Sequence, residues 1–275
     1  MLKTRVITAV ILLLVFLAAL FALPPAGWAA LVILMILQGA AEWARLARLS
    51  ARHAQIFWGL TLVMMLALLW FDVHHTREQQ MLMHFLVYSL SALLWLIVVP
   101  TWLITGWKVE NRMVMVLTGW ALLIPTGLAM LDLRVISPWL LLFVMGLVWV
   151  ADIAAYFAGR KFGKNKLAPS ISPGKTWEGV AGAMLGVSVY VLLVWGFSDY
   201  FKQNELLPGL LLASWWWVGL AVIGDLFESA IKRRANVKDS GGLLPGHGGL
   251  LDRIDALTST LPLAALAILL QHINS

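Results

Sequence analysis

Apolar residues run along this chain in blocks about as long as the ~20 residues needed to cross a bilayer as helix. Short charged or turn-forming stretches separate them. Reading the blocks against these breaks predicts nine helical spans, at approximately 6–23, 26–41, 56–71, 81–105, 113–131, 137–158, 177–197, 208–231 and 250–271. The expected fold class is all-α, a polytopic transmembrane helical bundle. The blocks at 26–41 and 56–71 are short for a full crossing, which leaves an interfacial or re-entrant placement open. Lys3 and Arg5 precede the first block as they would in a signal sequence, but its length and the spans that follow favour a retained helix.

Orientation follows from the lysines and arginines. With the N-terminus in the cytoplasm, 17 of the 20 basic residues fall on the cytoplasmic side. Arg77, Arg134 and Lys202 fall on the other. Such a split is hard to obtain with a wrong span count, so it supports nine spans. The short C-terminal tail is then outside.

Composition adds to this picture. The chain of 275 residues is 61% hydrophobic and only 12% charged. A soluble domain is about 25% charged, so a soluble enzyme and a disordered chain are both excluded. Cysteine is absent, which removes disulfides, thiolate metal sites and a cysteine nucleophile. The net charge of +6 describes the cytoplasmic face and its attraction to anionic membrane lipids. Nucleic acid is excluded as a partner, because no basic run is interleaved with aromatics. The run Trp215-Trp216-Trp217 lies inside a predicted span and is expected to pack against neighbouring helices. No internal repeat appears, which weakens transporter architectures built from duplicated halves.

Polar chemistry gathers in the second half. Residues 1–135 read as scaffold spans, and 136–275 as the catalytic region. Asp152 lies within an apolar span, Asp225 and Glu228 near one end of the eighth, and Asp252 and Asp255 at the start of the ninth. Ionisable groups at membrane depth are costly and mark function. Asp225, Glu228, Ser229 and Lys232 share a helix face by their spacing, as do Asp252 and Asp255, and Asp152 and Tyr156. Three helices can therefore point carboxylates at one locus. A divalent cation resolves their repulsion, and oxygen ligands suit Mg2+, Mn2+ or Ca2+. Zinc is disfavoured by the lack of cysteine and nearby histidine. Lys232, Arg233, Lys238 and Arg253 flank the acids, and Lys175 lies in Ser172-Pro-Gly-Lys-Thr176. Metal-binding acids beside bases and hydroxyls suit phosphate chemistry. The glycine-rich segment 241–249, with His247, Gly248 and Gly249, lets backbone amides approach an anion. Gly174-Lys175-Thr176 is not a P-loop: the leading glycine position holds Pro169, and no preceding strand is expected.

The segment Ser229–Asp255 carries S-x-x-K-R, four residues, K-D, then G, L-P-x-H-G-G and D-R-x-D. It resembles the signature of phosphatidate cytidylyltransferases, also called CDP-diacylglycerol synthases. Gly224-Asp-Leu-x-Glu-Ser229, Ser172-Pro-Gly-Lys-Thr176, Ala151-Asp152 and Ala155-Tyr156 support the resemblance, which is strong over roughly 150–260. Ala256 departs from the serine frequent in the family. The resemblance implies transfer of the cytidylyl group of CTP to phosphatidic acid, giving CDP-diacylglycerol and pyrophosphate, in the bacterial inner membrane with the active site facing the cytoplasm. It also implies Mg2+, a second cation such as K+, and a homodimer.

Roles follow as expectations. Asp225, Asp252 and Asp255 are the leading metal ligands, with Asp152 and Glu228 as further ones. Lys232, Arg233, Lys238 and Arg253 would bind phosphates. The glycine loop with His247 would close over the nucleotide. Ser172, Lys175 and Thr176 would hold the second phosphate group, Ser229 would help bind substrate, and Asp239 would orient Lys238 or contact the nucleotide. The rival readings are a CTP-dependent lipid-alcohol kinase and a cation or phosphate transporter. The transporter is disfavoured because the polar cluster hugs one face.

Overall fold

The computed structural model describes residues 2–107, 109, 111–197, 207–243 and 248–274. Among them the helices are α1 (Leu2–Ala22), α2 (Pro25–Leu46), α3 (Ala51–His74), α4 (Arg77–Leu93), α5 (Val99–Thr105), α6 (Arg112–Ile136), α7 (Pro138–Phe162), α8 (Trp177–Phe197), α9 (Leu207–Ala235) and α10 (Leu251–Asn274). A turn of π-helix, Leu94–Val98, joins α4 to α5 into one rod. Pro100 explains it: proline lacks an N–H and clashes with the carbonyl one turn back, so the preceding turn widens. Among the described residues, eight helical segments are long and apolar enough to cross a membrane, against the nine blocks the sequence pattern expects; in α1 the apolar stretch Val10–Ala22 is the described part.

Two sequence expectations change. The blocks expected to be short are full-length helices, 22 residues in α2 and 24 in α3. The helix does not stop at the first charge: Glu42 continues α2 while fully buried. At α3, Ser50 caps the N-terminus by accepting from the His53 amide, so the helix starts ahead of the apolar block. The other change is a two-stranded antiparallel hairpin, β1 (Lys166–Ala168) and β2 (Ser172–Thr176), between α7 and α8. A strand therefore does precede α8, with Gly174-Lys175-Thr176 inside it, but it is half of a hairpin rather than part of a phosphate-loop βα unit.

The exterior is apolar, as a lipid-facing surface must be. Leu185, Val189 and Leu193 of α8 and Val63 and Trp70 of α3 all point outward. Trp216 does too, at 58% exposure, against the expectation that the run packs on neighbouring helices; Trp215, at 45%, does meet its neighbour, donating to Ser188 Oγ of α8 at 2.9 Å. Three consecutive helical positions fan over about 200° of a helix with 3.6 residues per turn, so one buried side cannot hold all three; Trp217 alone packs on the core.

Two packing features set the site. Glycines and alanines line the α7–α8 contact. A Cβ added at Gly182 would overlap that of Ala158, and one at Gly186 would meet the Ala154 Cβ. Small residues here let the backbones approach as they do between membrane helices generally. The second feature is an aromatic box behind α9. Phe227 is stacked on Trp43 and meets Trp95 and Trp102 edge-on, with centroids 5.3–6.3 Å away. Burying Phe227 fixes the rotation of α9, so that Asp225, Glu228 and Lys232 are presented together. Gly224 does the rest: any side chain there would meet the Asp255 carbonyl at 2.8 Å and Ser259 Oγ at 2.7 Å. The core runs through both halves of the chain, from Trp28 and Ile36 to Leu257 and Leu261.

Candidate active site

The expected site residues collect at one end of the bundle, where α2, α7 and α9 finish and α8 and α10 begin. A cavity of about 440 Å³ opens there between α7, α8, α9 and the hairpin. Asp152, Arg160, Ser172, Lys175, Thr176 and Asp225 supply its polar wall. Ala151, Ala155, Ala183, Val218 and Val222 supply an apolar one. Lys175 Nζ lies 2.7 Å from Asp225 Oδ2, and Ser229 Oγ donates to Asp225 Oδ1 at 3.3 Å. Thr176 Oγ1 accepts from the Gly179 amide at 3.1 Å and so caps α8. Glu178 ties the hairpin to α8 by accepting from the Asn165 amide and side chain.

A second group centres on Lys232. Its ammonium donates at 2.6 Å to both Glu228 Oε2 and Asp252 Oδ1. Asp252 Oδ2 takes the Ser240 and Gly249 amides, each at 2.8 Å, and lies 2.9 Å from Ser240 Oγ. Gly248 between them has φ +82°, and a Cβ there would run into Asp252. That position is open only to glycine. Asp255, one turn along α10 from Asp252, stands among the like charges of Asp225, Glu228 and Asp152, which repel it, while Lys175 and Arg253 attract Asp152.

Other expected residues lie farther out. Arg233 is exposed and donates to the Ile171 carbonyl at 3.4 Å, bracing the hairpin. Lys238 and Asp239 are exposed on the loop after α9. His247 lies outside the described residues.

Two polar groups escaped the sequence reading, which took the first half as plain scaffold. One is Glu42, which sits against the glycine loop and was read as lying past the end of its span. A lone acid with Gln38 one turn before it, in an otherwise apolar block, was the available signal. The other is at the opposite end of the bundle. His84 there lies 2.9 Å from Asp72 and 2.8 Å from Asp132, and Tyr88 donates to Asp132 at 2.6 Å. Polar residues therefore occupy both ends, not one.

No three of the described His, Asp or Glu side chains form a ready cage for a metal ion. Mg2+ does not require one: it is bound through one or two carboxylates plus substrate phosphates. Glu228 Oε1 is buried without a hydrogen-bond partner among the described residues, and the acids around it repel one another. Glu228 thus keeps one oxygen open, Asp225 shares its oxygens with Lys175 and Ser229, and Asp252, expected as a leading metal ligand, is filled by Lys232 and loop donors.

The bundle is thus a many-helix membrane protein with a half-polar, half-apolar cavity at one end, beside paired acids and bases. A family model described as the cytidylyltransferase family matches residues 3–271, and the chain belongs to that family. Its relatives include phosphatidate cytidylyltransferases of Haemophilus influenzae, 36% identical over 95% of this chain and 96% of the relative, and of Pseudomonas aeruginosa, 37% identical over 96% of each. The Thermotoga maritima phosphatidate cytidylyltransferase is 42% identical over 45% of this chain and 46% of its own length.

Proposed function

We propose that this chain transfers the cytidylyl group of CTP to phosphatidic acid, forming CDP-diacylglycerol and pyrophosphate. The observation that carries the reading is the cavity with one polar and one apolar wall. A phosphate monoester on two acyl chains has the same division. Lys175 and Ser172 would hold the lipid phosphate, while Ala151, Ala155 and Val218 would face its glycerol and upper acyl chains. A lipid phosphate oxygen attacks the α-phosphorus of CTP, the bond from that phosphorus to the β-phosphate oxygen breaks, and pyrophosphate leaves. The nucleophile is already an anion, so no strong base is needed. The barrier lies in bringing two anions together, which makes positioning and charge neutralisation the main contributions.

The residues divide this work. Lys175 neutralises charge on the lipid side, and Lys232, Lys238, Arg233 and Arg253 supply it for the nucleotide. Ser229 orients Asp225. Asp225 and Asp255, with Asp152 and Glu228 beside them, would hold Mg2+ and a second cation such as K+. A bound Mg2+ would supply positive charge against the triphosphate and the leaving pyrophosphate. The reading includes nine crossings with the N-terminus inside, a site facing the cytoplasm of a bacterial inner membrane, and a homodimer. The split of basic residues supports the orientation.

The test uses purified detergent-solubilised protein with phosphatidic acid, labelled CTP and Mg2+. CDP-diacylglycerol and pyrophosphate should form in equal amounts, and EDTA should stop both. Folded protein that yields neither product would refute the reading; release of CDP with a lipid alcohol would identify a kinase instead.

A further inference from the structure

We infer that Glu42, in the half of the chain without a signature motif, is a positioning residue for cytidylyl transfer: it fastens both ends of the glycine loop so that Asp252 is held against Lys232. The inference rests on the proposed role of Lys232, which Asp252 holds at 2.6 Å, in charge neutralisation for the nucleotide.

Glu42 is fully buried. A carboxylate removed from water must replace its hydration with donors, and Glu42 has four. Oε1 accepts from Gln38 Nε2 and the Leu250 amide, both at 2.9 Å. Oε2 accepts from the Leu251 amide at 2.8 Å and Ser240 Oγ at 2.9 Å. Gln38 lies one turn earlier on α2 and only orients the acid. The other three donors flank the loop, Ser240 just before it and Leu250 and Leu251 just after it. The two amides open α10, where helix N–H groups have no partner within the helix. A negative charge is also favoured there by the helix dipole.

The same loop ends hold Asp252. Ser240 Oγ lies 2.9 Å from both Glu42 Oε2 and Asp252 Oδ2. The two acids thus meet through one hydroxyl, and Asp252 Oδ1 is left to face Lys232. Space is as restricted as charge. A Cβ at Gly249 would overlap the Glu42 carboxylate and Ser240 Oγ, and one at Gly241 would meet Glu42 Oε1 at 2.9 Å. Arg45, one turn after Glu42, reaches the Ser240 carbonyl at 3.4 Å. Glu42 itself does not line the cavity, so it acts through the loop rather than on substrate.

In Glu42→Gln an amide nitrogen replaces one carboxylate oxygen, leaving a loop N–H facing a donor. A displacement of about 1 Å in a reacting constellation can cost about a hundredfold in rate. The full-length protein is compared in detergent as wild type, Glu42→Gln, Ser240→Ala and the double variant, with Asp252→Asn as control. For each, kcat, both KM values and the unfolding midpoint are measured. Each single variant should lose about tenfold or more in kcat, with the KM for phosphatidate nearly unchanged. The double variant should lose no more than the worse single, because both cut the same link. Folded Glu42→Gln with wild-type kcat, losses that multiply in the double variant, or a loss that only tracks the unfolded fraction would each overturn the inference. If Glu42→Gln does not fold, Ser240→Ala decides by the same criterion. An Asp252→Asn enzyme with full turnover would refute the place of Asp252 instead, and so separates the two failures.

Discussion

Replacing Lys232 with methionine tests the electrostatic reading of the site most directly. The ammonium touches two carboxylates at 2.6 Å. The side chains of Lys232, Glu228 and Asp252 are only 14%, 7% and 6% exposed, so water screens them poorly. At an effective dielectric near 20, each contact contributes about 6 kcal/mol of Coulomb energy. Desolvation of three charged groups offsets most of that. Removing the cation does not recover the desolvation, because two carboxylates stay buried and face each other. Breaking such an arrangement costs about 3–5 kcal/mol. At about 2–4 °C per kcal/mol for a chain approaching this size, Lys232→Met should lower the unfolding midpoint by about 10 °C. The assay is tryptophan fluorescence of the detergent-purified protein during heating. Adding Glu228→Gln removes one of the two uncompensated charges and should restore part of the midpoint without restoring turnover. A Lys232→Met protein that melts within about 2 °C of wild type would refute the reasoning, since it would mean the three charges remain hydrated.

Lys175→Ala removes the cation beside Asp225 in the cavity and should raise a substrate KM by about tenfold, in line with a hydrogen bond to a charged group; unchanged KM values for both substrates would contradict its role. Gly182→Ala should force α7 and α8 apart at Ala158, lowering both the unfolding midpoint and turnover, whereas an unaffected protein would mean the contact is looser than it stands. Tyr88→Phe leaves Asp132 without its hydroxyl donor and should cost about 1–2 kcal/mol of stability. It should leave kcat unchanged, because the cluster lies at the opposite end of the bundle from the cavity.

Much of the fold was legible because lipid imposes a one-dimensional rule: apolar blocks of sufficient length become helices. The rule erred where it met charge. It ended α2 before Glu42, since a sequence shows the cost of burying a carboxylate but not the four donors that offset it. It also had no means of seeing the hairpin, whose strands of three and five residues are too short to show a period. In the site, helical spacing placed Asp225, Glu228 and Lys232 on one face, and the structure has them there. Spacing does not tell a carboxylate that is open from one that is filled, so the amides on Asp252 and the capping role of Thr176 needed coordinates. The His84 cluster joins residues from α3, α4 and α6, a juxtaposition that no local pattern contains.

The fastening of the glycine loop to Glu42 also constrains how the protein is made. Its loop donors lie 198, 208 and 209 residues farther along the chain. When α2 enters the bilayer they have not been synthesised, and Gln38 is the donor at hand. Glu42 stands four residues from the end of α2, about 6 Å at 1.5 Å per residue. The carboxylate can therefore stay in contact with water while the intervening helices are inserted. Desolvation waits for α10, and docking Ser240 and the start of α10 on Glu42 becomes one of the last steps of assembly. A chain truncated before that loop would keep α2 but leave its acid at the water boundary, so this end of the bundle is completed only when α10 arrives.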